Sequence, residues 1–104
     1  MRFRTLVLAL GMIAVTGSSH AACYELIGCT DSDRIQRREL RQLSWQALWE
    51  VRNQIYFENG YCFQTRRAIS FFGNDSCYTR NPDLNSIERA NVAAISAVED
   101  RMGC

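Results

Sequence analysis

Lysine is absent from the 104-residue sequence, and its one histidine is His20. The chain after residue 21 therefore offers no lysine amine for a Schiff base and no imidazole for acid–base catalysis or zinc binding. Twelve arginines stand against eleven acidic residues in the whole chain, so no strong positive charge favours nucleic acid as a partner. These shortages disfavour the commonest enzyme and metal sites.

The first 21 residues have the pattern of a secretory signal peptide. Arg2 and Arg4 supply its positive end, residues 6–15 its apolar stretch, and Ser19 and Ala21 the two small side chains that precede a cleavage point. The apolar stretch has about ten residues, half of the ~20 that span a bilayer. We therefore expect cleavage after Ala21 and an exported protein, soluble in the periplasm or the extracellular space. An uncleaved membrane anchor is the alternative.

The rest of the chain contains five cysteines. They are Cys23, Cys29, Cys62, Cys77 and Cys104. In an exported chain too short for a large core, cysteines predict stabilising disulfides. Spacing leaves the pairing open, because Cys23 and Cys29 would close a compact loop, or either would bind Cys104 at the C-terminus. Cys23 also lies where a lipoprotein is acylated, but His20 stands where that signal needs a leucine-like residue, so we favour no lipidation.

Apolar residues recur at helical spacing and predict an all-α domain of three or four helices. Asp31 and Asp33 indicate the start of a first helix, because acidic residues favour a helix N-terminus. Four arginines would share one face of it: Arg34, Arg37, Arg38 and Arg41. That face either makes a weak contact with an anionic surface of the cell envelope or is solvated beside neighbouring acids.

Three further helices have clear start and stop signals. Their expected N-caps are Ser44, Thr65 and Asn85, and their expected ends are Asn59-Gly60, Phe72 and about Met102. Trp45 and Trp49 fall on the apolar face of the second helix. In the last helix, Glu88 lies three residues after Asn85 and predicts a capping box.

Two polar residues interrupt the apolar faces of these helices. Arg52 lies in the middle of the apolar face of the second helix, and Asn91 does so in the last. Buried polar groups without partners are costly, so each needs a hydrogen-bond partner. We expect internal ties, from Arg52 to a carboxylate or helix-end carbonyls and from Asn91 to backbone. The alternative is that both line a ligand cleft.

The segment from Leu48 to Phe63 reads LWEVRNQIYFENGYCF. It resembles the YARHG domain family, whose motif is L-x-x-x-R-N-x-I-Y-A-R-H-G-Y-x-F. The matching residues are Leu48, Arg52, Asn53, Ile55, Tyr56, Gly60, Tyr61 and Phe63. Phe57, Glu58 and Asn59 stand where the family has Ala, Arg and His. Residues 77–82 are similar to the family's W-Y-x-x-N-P turn, and residues 84–91, which end at Asn91, to its L-x-x-x-E-x-x-N segment, so the resemblance covers residues 43–100.

The resemblance implies an extracytoplasmic bacterial domain with no established activity, for which binding to the cell envelope is the expected role. It also implies a disulfide between Cys62, which lies just after the motif glycine, and Cys77, which lies before the Asn-Pro turn. Cys23 would then pair with Cys29, and Cys104 would be unpaired or tether the C-terminus. The expected organisation is a signal peptide (1–21), a disulfide loop with the arginine-faced helix (22–42) and a YARHG-like helical domain (43–104).

We expect a non-catalytic module that binds peptidoglycan or another envelope glycan. Aromatic residues are dense around the motif, and either form core or stack on sugars. The candidate ligand surface consists of Phe57, Tyr61, Arg66, Arg67 and Tyr78.

Other function classes have less support in the sequence. Glu50, Glu58 and Asp75 are carboxylates for acid–base work on a glycan, but no spacing pairs them. No motif for a metal, nucleotide or other cofactor is present. The alternative function is a protein-interaction module, such as an inhibitor or an accessory subunit of an envelope complex.

Overall fold

The computed structural model describes residues 22–104, and the predicted signal peptide lies outside the described residues. Two short strands, β1 (Cys23–Tyr24) and β2 (Gly28–Cys29), form an antiparallel hairpin. Four helices follow: α1 (Arg37–Leu40), α2 (Trp45–Glu58), α3 (Arg66–Phe72) and α4 (Ser86–Met102). The all-α prediction is confirmed, because the hairpin strands contain two residues each.

The predicted caps of the three longer helices are present. Ser44 Oγ accepts a hydrogen bond from Ala47 N at 3.1 Å, and Thr65 Oγ1 accepts one from Ala68 N at 3.2 Å. Asn85 and Glu88 form the reciprocal capping box that opens α4. These bonds satisfy N–H groups that the first helical turn leaves without an acceptor, so each helix begins where the sequence predicts.

The first helix is shorter than predicted and does not begin at the acidic residues. It begins at Arg37, because the preceding backbone bonds to side chains. Asp33 Oδ2 accepts from Cys29 N at 2.8 Å, and Asn91 Oδ1 accepts from Ile35 N at 2.9 Å. The Asp33 carboxylate thus holds a turn instead of capping a helix.

The core lies mainly between α2 and α4, with the hairpin and α1 closing one side. Its buried apolar residues are Ile27, Ile35, Leu40, Leu48, Val51, Ile55, Leu84, Ile95 and Val98. Trp45 does not join it and is 57% exposed. Helical side chains point toward the helix N-terminus, so the first residue of α2 has no preceding turn to pack on.

The Cys62–Cys77 disulfide is present, as the resemblance implied, and Cys23–Cys29 closes the compact loop that was one of the alternatives. Cys104 is exposed and is a free cysteine among the described residues. Nowhere in residues 22–104 is a helix both long enough and apolar enough to cross a membrane.

Candidate binding cleft

An open cleft of about 970 Å³ lies between α2, α4 and the segment that joins α3 to α4. Its lining residues are Arg52, Asn53 and Tyr56 from α2, Arg89, Val92 and Ala93 from α4, and Tyr61 with residues 80–84 from the connecting segments. The volume falls at the upper end of the about 300–1,000 Å³ that small-molecule sites occupy. Polar, aromatic and apolar side chains all face this space.

Residues 80–84 form one wall of the cleft, and the chain before them is held beside the end of α2. Tyr61 and Thr79 form an isolated parallel bridge, in which Cys62 N donates to Thr79 O at 2.7 Å. The disulfide between Cys62 and Cys77 joins the same two segments covalently. The wall therefore depends on contacts between residues that are distant in sequence.

Three arginines line the cleft, and their guanidinium groups differ in their partners. Arg52 Nε donates to Glu99 Oε1 at 2.7 Å and its terminal nitrogen to Glu99 Oε2 at 3.1 Å, an ion pair that ties α2 to α4. Arg89 donates to the carbonyl oxygen of Leu84. Arg80 is exposed and makes no hydrogen bond or ion pair within residues 22–104. Arg80 is thus the cation most available to a ligand.

Tyr61 is the aromatic residue that connects the cleft to the core. Its ring centroid lies 5.5 Å from that of Tyr56 and 5.1 Å from that of Phe63, which it meets edge to face. Phe63 is buried, with 4% of its surface exposed. The two tyrosine rings therefore present a supported aromatic surface to the cleft, because Phe63 packs behind Tyr61.

The residues of the predicted ligand surface take different positions relative to the cleft. Of these five residues, Tyr61 lines the cleft, whereas Arg66 and Tyr78 are exposed outside it. Phe57 is half-buried against the ring of Phe72 at 5.5 Å, so α3 covers it.

Arg67 has partners within the fold instead of pointing to the cleft. Its guanidinium lies 3.9 Å from the ring centroid of Trp49 and donates to Gln46. Arg80, Pro82 and Arg89, which do line the cleft, were not among the predicted ligand residues. The Asn-Pro turn after Cys77 was the one sequence signal near Arg80 and Pro82.

Asn91 is an internal tie and does not line the cleft. Its side chain donates to Thr30 O at 2.9 Å and to Asp33 O at 2.8 Å, and accepts from Ile35 N at 2.9 Å. It is 1% exposed. The Asn91 amide therefore fastens the chain before α1 to α4.

The other charged groups singled out in the sequence are dispersed. Arg34, Arg37, Arg38 and Arg41 are exposed, and none forms an ion pair within residues 22–104. Glu50 accepts a hydrogen bond from Gln46 at 2.8 Å, and Asp75 is exposed in the loop after α3. No group of three or more His, Cys, Asp or Glu residues in this part of the chain is arranged to hold a metal ion.

Glu58 and Tyr24 have unusual environments near the hairpin. Burial raises the pKa of Glu58, although hydrogen bonds from Gln54 and from the backbone of Ala22 oppose that rise. Burial, with the nearby charges of Glu58 and Glu50, raises the pKa of Tyr24 to about 12. Tyr24 also lines a smaller, mostly apolar pocket of about 220 Å³ beside α2.

Comparison with models of protein families matches residues 23–100 to the YARHG domain. The chain belongs to the YARHG domain family. The match begins at residue 23 and so includes the hairpin and α1, which precede the motif resemblance at residue 43. Neither the curated proteins nor the solved structures contain a significant match to the chain. The YARHG domain is an extracytoplasmic domain, which agrees with the predicted export.

Proposed function

We propose that this YARHG domain is a non-catalytic module that binds a glycan of the cell envelope, peptidoglycan in particular, in the cleft. One observation carries the proposal. Four of the residues that match the family motif, Arg52, Asn53, Tyr56 and Tyr61, line the same cleft. The family motif therefore marks this surface as well as the core.

The chemistry of the cleft suits an acidic glycan. Tyr56 and Tyr61 combine an apolar ring with a hydroxyl group, which fits the apolar faces and polar edges of sugars. The guanidinium of Arg80, which has no partner within residues 22–104, suits a carboxylate, such as those of the peptidoglycan stem peptides, because charge-assisted hydrogen bonds are stronger than neutral ones. The carboxylate of Asp83, on the same wall, is an acceptor for the hydroxyl or amide groups of a ligand.

The proposal includes removal of residues 1–21 and release of a soluble domain. The signal-like pattern of those residues supports cleavage. The disulfide supports release without a lipid, because the Cys23 sulfur is bonded to Cys29 and cannot also carry a thioether. Intact mass of the exported protein tests both points. We expect loss of residues 1–21 and of the hydrogens of two disulfides, and an added lipid mass would contradict the soluble assignment.

Co-sedimentation with purified peptidoglycan sacculi tests the cleft. We expect the mature domain to pellet with sacculi and Arg80→Gln to weaken that binding about tenfold, the effect of losing roughly 1.4 kcal/mol. Arg37→Gln is the matched control, because it removes the same charge from an exposed residue outside the cleft lining. If both variants lost binding equally, and if salt abolished the pelleting of the wild-type domain, the domain would be adsorbed by charge through the arginines before and within α1. No pelleting at all would contradict wall binding.

A protein partner is the second candidate, and exposed aromatic residues support it. Trp45 is 57% exposed and Phe71 is 53% exposed, and aromatic side chains are enriched in protein interfaces. Affinity purification of the mature domain from envelope extracts tests this candidate. A protein recovered at fixed stoichiometry, and lost on Trp45→Ala but retained on Arg80→Gln, would favour it over glycan binding.

A further inference from the structure

Ala22, the first described residue, is held at both of its backbone polar groups. Its N–H donates to Glu58 Oε1 at 3.0 Å, and its carbonyl oxygen accepts from Thr30 N at 3.0 Å. Thr30 is fully buried, and its own carbonyl accepts from the Asn91 side chain at 2.9 Å. The position of the Ala22 nitrogen beside Glu58 is therefore fixed by a network that reaches α4.

Glu58 lacks a cationic partner in the described part of the chain. Its other oxygen accepts from Gln54 Nε2 at 2.7 Å, which leaves the negative charge uncompensated. Burial is the main cause that raises its pKa, and the charges of Asp31 and Glu88 raise it further. Glu58 also stands where the family motif has Arg, so this chain carries a carboxylate at the end of α2 in place of a cation.

We propose that cleavage after Ala21 turns the Ala22 nitrogen into an α-ammonium group that is the counter-ion of Glu58, so that processing completes the fold with an ion pair. The proposal rests on the export and cleavage proposed above. It applies to the fold whether or not the cleft binds a glycan.

The chemistry of processing supplies the charge. Signal peptidase hydrolyses the Ala21–Ala22 peptide bond with water, whose hydroxyl joins the Ala21 carbonyl carbon while a hydrogen joins the Ala22 nitrogen. The Ala21 carboxyl group then loses a proton and the Ala22 amine takes one up, because an α-amine has an ordinary pKa of about 7.7–8.0. A neutral amide donor to Glu58 thereby becomes a positively charged one.

The pairing has a defined pH dependence. The Glu58 carboxylate raises the α-amine pKa in the folded state above its unfolded value of about 8. As long as Glu58 is ionised, the pair therefore contributes fully to stability when the pH is below about 8. This contribution is lost as the pH rises through the folded pKa of the α-amine. The contribution is also lost at acid pH, where Glu58 becomes protonated. Asp31, Glu88, Gln54 and Tyr24 surround Glu58 and add no competing cation.

The absence of lysine makes the test specific, because the α-amine is the only amine of the mature chain. Protein that begins at Ala22 is prepared with a protease that leaves no extra residue, and part of it is acetylated at the α-amine. We expect acetylation to lower Tm by about 5 °C near pH 7, as loss of one such interaction does in a domain of this size. In Glu58→Gln, acetylation should change Tm little.

Reductive methylation with a ¹³C label gives a second readout that does not depend on stability. The labelled α-amine should titrate above its ordinary pKa in the wild-type chain and return to it in Glu58→Gln. Glu50→Gln is the matched control. Glu50 also lies in α2 and also accepts a hydrogen bond from the glutamine four residues before it, Gln46, as Glu58 does from Gln54. The control should leave the α-amine pKa raised.

Three outcomes would overturn the proposal. One is an ordinary α-amine pKa in the wild-type chain, and another is an equal Tm loss on acetylation with and without Glu58. The third is an exported chain that begins at a residue other than Ala22, found by N-terminal sequencing. Sacculus binding by the acetylated protein is measured separately, so failure of glycan binding leaves this result readable.

Discussion

Asn91 illustrates at the scale of one residue how a buried amide replaces backbone pairing. Its three hydrogen bonds join residues 30–35 to α4, although those residues form neither a helix nor a sheet. We expect Asn91→Ala to lower the free energy of unfolding by about 3 kcal/mol, because it leaves buried backbone groups without partners and creates a cavity. Urea denaturation of the mature domain measures the loss.

The control for this prediction is Asn81→Ala. Asn81 is exposed and its side chain makes no hydrogen bond within residues 22–104, so its loss should change stability by less than about 0.5 kcal/mol. A similar small change for Asn91→Ala would mean that water replaces the amide at no cost, and that the chain before α1 is held by other contacts.

The need for partners at Arg52 and Asn91 could be predicted from the sequence, but the identities of the partners could not. A polar residue on an apolar helical face demands a partner, whatever the fold. The actual partner of Arg52 is Glu99, 47 residues away, and that of Asn91 is backbone 56–61 residues away. Only the packing of α2 and α1 against α4 determines these pairs.

The same difference between local and distant contacts explains which helix starts were predicted correctly. The starts of α2, α3 and α4 depend on caps within three residues, and all three were predicted. No side chain caps α1 at Gln36, the backbone just before it bonds to Asn91, which is distant in sequence, and the predicted start was wrong. A helix boundary is therefore predictable where its capping group lies in the same segment.

Glu88 contributes to two helices at once, and this permits a prediction at the scale of the element. One oxygen accepts from Asn85 N at 2.9 Å within the capping box, and the other accepts from Asn59 Nδ2 at 3.0 Å at the end of α2. We expect Glu88→Ala to lower the free energy of unfolding by about 2 kcal/mol, because one cap and one partly buried helix-to-helix bond are lost. Thermal and urea unfolding measure it.

Asp100→Ala is the control on the same helix. Asp100 is exposed near the C-terminus of α4, where a negative charge opposes the helix dipole, so its removal should not destabilise. If Glu88→Ala proved as mild as Asp100→Ala, the join between the end of α2 and the start of α4 would not be important for stability.

At the scale of the whole molecule, the cleft exists because three distant segments meet. Arg52 and Tyr61 belong to the motif segment, but Arg80 and Arg89 lie outside it, and none of the periodicities that predict helices places the four together. The motif resemblance identified Tyr61 but not Arg80, since the side of the Asn-Pro turn that faces α2 is decided by the bridge at Thr79. The cleft could therefore be located only in the folded chain.

The Cys62–Cys77 disulfide holds that bridge, and the two disulfides should differ in what their loss does. On the loop-entropy model, replacing Cys62 and Cys77 by Ser lowers the free energy of unfolding by about 3 kcal/mol, and replacing Cys23 and Cys29 by about 2 kcal/mol. Cys104→Ser should leave stability unchanged, because Cys104 forms no disulfide within residues 22–104. Urea denaturation of the three variants provides the comparison.

Their effects on binding should differ more than their effects on stability. Loss of Cys62–Cys77 frees the wall of residues 80–84 and so should weaken sacculus binding under conditions where the variant is still folded. Loss of Cys23–Cys29 acts on the hairpin, whose cysteines are not among the cleft-lining residues, and should leave binding intact. Equal weakening in both variants would show that binding follows global stability and does not depend specifically on the wall that the longer disulfide supports.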